Sequence, residues 1–133
     1  MYQIRLTLAA VLFTAFMFAC GSDDSPTGPS SMDRDKFVGN WAGTYQCTNL
    51  PGDTLIIALG TGDLGFNIIL HAFTGNPNPE IVTGELTDVN VITIPEQTIG
   101  FFPGSATITY SNNTLALSQK GLGITCRGDY VKY

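Results

Sequence analysis

The reactive inventory of this 133-residue chain is small: three cysteines, one histidine, and 11 acidic side chains against 6 basic ones. A metal centre needs three or four ligands. His71 has no second histidine and no free cysteine to join it, and it lies in an apolar stretch beside Ile69 and Phe73. It is read as structural. Glu80, Glu85, Asp88 and Glu96 fall on different strands and turns. They lack the fixed pairing that acid–base work requires and are read as a solvated face. No G-x-S-x-G or Cys/His signature is present. The glycines at Gly60, Gly62 and Gly65 join strands rather than open a helix, which is the wrong setting for a phosphate cradle. These residues predict a protein that is not an enzyme, with no catalytic residue, no metal and no cofactor. A formal net charge of −5 argues against nucleic acid as a partner, because phosphates need a basic surface.

Cys20 takes its meaning from what precedes it. Met1 to Arg5 carries one positive charge, and Leu6 to Ala19 is apolar except for Thr7 and Thr14. The run is well short of the ~20 residues that cross a bilayer and has the layout of a secretory signal. It stops at Ala19-Cys20 and does not resume. This junction resembles the lipobox of bacterial lipoproteins, although Met17 stands where Leu is usual. The resemblance implies cleavage after Ala19, a diacylglyceryl group on the Cys20 thiol and a further acyl chain, such as palmitate, on the new amine. Two or more chains, at about 0.8 kcal/mol per buried CH2, make a stable membrane anchor. Ser22-Asp23-Asp24 is similar to the short signal that sends lipoproteins of one Gram-negative group to the outer face of the outer membrane; it reads equally well as a solvated tether. The expected organisation is a signal peptide over 1–19, the lipidated cysteine and a Gly/Ser/Asp/Pro linker over 20–32, and one folded domain over 33–133.

The elements that would carry any site are strands. One helical turn is expected over Ser31 to Lys36, with Ser31 as its N-cap. After Phe37 no stretch has helical periodicity. Alternation places Trp41, Gly43, Tyr45 and Cys47 on one face of a first strand, and Val82, Gly84 and Leu86 on one face of a later one. Pro95-Glu96 reads as a turn, and Asn112-Asn113 as a two-residue hairpin turn, because Asn tolerates positive φ. About eight to nine short strands at close spacing predict an all-β antiparallel meander, closed as a barrel or packed as a sandwich. With Cys20 taken by lipid in an oxidising compartment, Cys47 and Cys126 remain as an even pair. If bonded, they hold first and last strands within about 7 Å, as an up-and-down barrel requires; the alternative is two buried thiols.

Phe37-Val38-Gly39-Asn40-Trp41 matches the F-x-G-x-W that opens the first strand of lipocalins and fatty-acid-binding proteins. The domain thus resembles the calycin group, and the run from Ile92 to Leu117 with the closing Cys126 is similar to small calycin-like surface lipoproteins. That resemblance implies a basic side chain over Trp41. Arg127 is the candidate, but it lies on the strand face opposite Cys126, so the contact requires a bulge. It also implies a small apolar ligand in the barrel, with Trp41, Tyr45, Phe66 and Tyr110 inside and Phe101 and Phe102 at a rim, unless these aromatics simply fill the core. Asp53-Thr54-Leu55 resembles an O-glycosylation acceptor of the same bacterial group. The competing expectation is an interaction module for an envelope protein or glycan, such as an inhibitor of host enzymes, working through Phe101 to Gly104 and Thr74 to Pro79 with a packed core.

Overall fold

A computed structural model describes residues 28–47, 52–72 and 75–133. The expected signal peptide, Cys20 and most of the expected linker lie outside the described residues.

Eight strands form one closed antiparallel barrel in which each pairs with the next: β1 (Gly39–Tyr45), β2 (Asp53–Leu59), β3 (Gly65–Leu70), β4 (Glu80–Asp88), β5 (Val91–Ile99), β6 (Phe102–Ser111), β7 (Thr114–Gly121) and β8 (Ile124–Lys132). β1 closes the ring on β8, with Trp41 opposite Lys132 and Tyr45 opposite Gly128. Closure leaves no exposed sheet edge. The Cys47–Cys126 disulfide extends this seam just beyond β1, with the two Cα atoms 5.5 Å apart.

The expected turn at Pro95-Glu96 is instead a bulge inside one long strand, which brings the count to eight. Backbone pairing of β4 with β5 stops at Glu85 opposite Thr93. Proline cannot donate to the ladder and is confined to edges and bulges. The Gln97 carboxamide replaces the missing rungs: it accepts from the Thr83 N–H at 3.0 Å and donates to the Thr83 carbonyl at 2.8 Å. Asn112 and Asn113 both take positive φ, 49° and 61°, and make the β6–β7 hairpin turn expected of them.

Inward residues of every strand fill the barrel. Trp41, Leu55, Ile57, Phe66, Ile68, Leu86, Ile92, Ile94, Ile108 and Tyr130 are all buried. One end is plugged by the chain before β1. A 3-10 helix over Ser31–Arg34 begins after Ser30, not Ser31, because the Asp33 carboxylate takes up both the N–H and the hydroxyl of Ser30, at 2.9 and 2.8 Å. Arg34 donates to the Gly62 carbonyl and Lys36 to Asn90, which fastens the segment to the β2–β3 and β4–β5 turns. Phe37 then sits edge-on to Phe66 and Tyr110, and its carbonyl accepts from the Trp41 indole N–H at 2.8 Å. The opposite end, where β2, β4, β6 and β8 begin, carries no such plug among the described residues and is called the mouth below.

Candidate functional site

A cleft of about 400 Å3 opens at the mouth. Its wall includes Tyr45, Glu80, Ile99, Phe102, Gln119, Leu122, Ile124 and the disulfide pair Cys47 and Cys126. Phe102, Leu122 and Ile124 are exposed apolar residues on the turns and strand starts that rim it, and Phe101 stands beside them 95% exposed. Leu122 is held at φ 51°, a left-handed backbone that leucine rarely adopts. A concave apolar site with a few convergent polar groups is the ordinary setting for small-molecule binding.

Tyr45 belongs to the mouth's lining but is 7% exposed, and its hydroxyl donates to the Gln119 side-chain oxygen at 2.9 Å. Burial, with the negative charges of Glu80 and Asp53, pushes its phenol up to about 12, so it stays protonated at neutral pH. The Tyr45 ring lies 4.5 Å from that of His71. β3 ends at Leu70, earlier than the apolar run suggested, because His71 turns to φ 54° and reaches back to Asp53. Its Nδ1 is 2.9 Å from the Asp53 carboxylate, and the Tyr130 hydroxyl donates to the same oxygen at 2.5 Å. The other oxygen accepts from the Thr54 N–H at 2.8 Å. Burial alone would raise the Asp53 carboxyl; the bonds from His71, Tyr130 and Thr54 outweigh it and hold the group below its ordinary value. The Tyr130 phenol moves up, through burial first and the bond to Asp53 second. This network braces the barrel end from inside.

The aromatics singled out from the sequence separate between the two ends. Tyr45 and Phe102 line the mouth, and Phe101 projects beyond it. Trp41, Phe66 and Tyr110 gather with Phe37 in the plug and core, where they contact one another rather than open space. The cation over Trp41 is Lys132, its Nζ 5.4 Å from the ring, and not Arg127, which is exposed. Lys132 shares the inward face of Cys126 and Tyr130, so no bulge is needed. Glu85, Asp88 and Glu96 are exposed, but Glu80 is not part of a solvated face: it lines the mouth, and its Oε2 is buried. The signal was legible, since Glu80 continues the Val82-Gly84-Leu86 alternation by one step. Asp53 was missed for the same reason, being two residues before Leu55. The Asp53-Thr54-Leu55 tripeptide lies in β2 with Asp53 and Leu55 buried. The Thr74 to Pro79 loop is described only from residue 75. Among the described residues, no group of three or more His, Cys, Asp and Glu side chains could hold a metal ion, and no helix is long and apolar enough to cross a membrane.

A second, larger depression of about 580 Å3 runs along the outer wall over β3, β4 and β5, lined by Thr83, Thr87, Thr93 and Glu85. The β2–β3 turn, Thr61 to Leu64, closes one side of it.

No protein-family model matches this chain, and no curated protein does. Solved structures do. The fluorescent protein UnaG aligns with a TM-score of 0.51 and 11% identity, over 75% of this chain and 99% of UnaG. The REP1-NXSQ fatty acid transporter aligns with a TM-score of 0.51 and 10% identity, over 74% of this chain and 97% of that one. The barrel is calycin-like. At such identities the likeness to other calycin-like barrels concerns backbone architecture alone, and the mouth's chemistry must be read from this chain's own side chains.

Proposed function

We propose that this protein is a non-catalytic binding module, tethered to the outer membrane through acyl chains on Cys20, that takes a small apolar ligand at the mouth of the barrel. The observation that carries the reading is the cavity of about 400 Å3 under the rim of Phe102, Leu122 and Ile124. The volume falls in the range of ligand pockets, roughly 300 to 1,000 Å3. The packed interior argues for a ligand seated at the end of the barrel rather than along its axis. The likeness to a fatty acid transporter supports a binding role at the level of fold. The tether rests on the sequence: the apolar run, the Ala19-Cys20 junction and the polar stretch after it.

The test is fluorescence titration of the full chain with a neutral environment-sensitive probe, N-acetyl-dansylcadaverine, alongside native mass spectrometry for carried-over ligand. Saturable binding that falls at least five-fold in Phe102→Ala supports the reading. Absence of binding, or binding indifferent to Phe102, overturns it.

One observation favours a second reading. Phe101 is 95% exposed at the tip of the β5–β6 turn, and an aromatic that projects past a cavity suits docking of a protein or glycan onto the rim. A photo-crosslinking residue at position 101 that captures the same envelope or host protein reproducibly, with no probe bound in the cavity, would replace the first reading by this one.

A further inference from the structure

We infer that the mouth selects a molecule carrying a protonated amine on an apolar body, with Glu80 as the group that accepts the amine; this rests on the mouth being the ligand site. Glu80 opens β4 and faces inward with Val82 and Leu86. Its Oε2 is hidden from water and accepts no hydrogen bond. A carboxylate oxygen can only accept, so the missing partner is a donor. The protein's nearby donors do not supply it. The Tyr45 hydroxyl donates to Gln119. Lys120 also lines the cavity, yet among the described residues the single ion pair is that of His71 with Asp53.

The carboxylate is also held in a fitted place. Glu80 Oε1 lies against the β5–β6 turn, where a Cβ added to Gly100 would stand 2.7 Å from it, and that position takes a glycine backbone at φ 65°. An unpartnered buried acceptor is costly to keep, and the expense is recovered when a ligand brings the donor. A cationic donor makes the stronger, charge-assisted bond. Tyr45 and Phe102 place aromatic rings in the same lining, and an ammonium group is drawn to such rings. Ile99, Leu122 and Ile124 supply apolar contact for the remainder of the molecule. A carboxylate ligand would meet Glu80 as a like charge.

Three matched probes test this on the full chain: dansylcadaverine with its free amine, the neutral N-acetyl derivative, and dansyl-aminohexanoate with a carboxylate in the amine's place. The unaltered protein is expected to bind the amine at least ten-fold more tightly than the neutral probe, and the carboxylate most weakly. Glu80→Gln keeps the shape and is expected to bring the amine and neutral probes within three-fold of each other. Equal affinity for amine and neutral probes, or a preference that survives Glu80→Gln, overturns the inference while the mouth remains the site. Failure of all three probes to bind removes the site itself, and the inference with it. If the variant does not fold, equal affinity of the unaltered protein for the amine and neutral probes still overturns the inference.

Discussion

Asp53 is the one buried charged residue among those described, and three donors converge on it. Replacing it with alanine would leave the Tyr130 hydroxyl and His71 without their acceptor. Each buried donor left unsatisfied costs about 1 to 3 kcal/mol, and urea unfolding of Asp53→Ala should show a loss of at least that order. Tyr130→Phe removes one bond to a charged group and should cost about 1.5 to 3 kcal/mol. Because the Asp53 carboxyl is held below its ordinary value in the folded state, its contribution is present in full above that value, near pH 4. It is lost as pH falls through the lower, folded value. The urea midpoint should therefore drop as pH falls below about 4, and Asp53→Asn should lack that part of the slope. The sequence carried the parity that points Asp53 inward, but not its partners. His71 and Tyr130 lie 18 and 77 residues away; the β2–β3 pairing brings the first to it, and barrel closure through β1 and β8 the second.

At the scale of elements, the strands were legible because alternation is imposed by burial of one face. Where a side chain stood in for backbone, they were not. Pro95 looked like a break because proline usually is one; Gln97 keeps β5 whole. Gln97→Ala should leave the Thr83 amide and carbonyl to water beside the bulge and cost about 0.5 to 1.5 kcal/mol by chemical denaturation. The two tight turns make a useful contrast. Asn112-Asn113 has residues that tolerate its backbone, whereas the β7–β8 turn places Leu122 where glycine or asparagine would be at ease. Such strain is commonly retained at binding sites. Leu122→Gly should raise the melting temperature, by roughly 1 kcal/mol of relieved strain, and at the same time weaken the neutral probe several-fold. A gain in stability with unchanged affinity would mean that Leu122 does not touch the ligand.

At the scale of the whole molecule, the disulfide ties the seam where the first and last strands meet. A cross-link separated by 79 residues removes about 4.5 kcal/mol of chain entropy from the unfolded state as an upper estimate. Cys47→Ser with Cys126→Ser should lower the urea midpoint accordingly. It should also weaken probe binding, because both cysteines line the mouth. The adjacency of first and last strands could be read from these two residues once Cys20 was set aside, and that adjacency distinguishes a closed barrel from a sandwich. Which barrel end would be open could not be read, because it depends on how Ser30 to Phe37 folds back across the other.

That fold-back has a directional consequence. The described chain enters beside the plug, and it leaves there too, since the Tyr133 N–H donates to the Asn40 carbonyl at the start of β1. Both ends of the described chain therefore lie at one pole, and the mouth occupies the other. A molecule held to a support by either tail would turn its opening toward the surrounding fluid, like a cup standing on its base, and a fusion partner at either tail would leave that opening unobstructed.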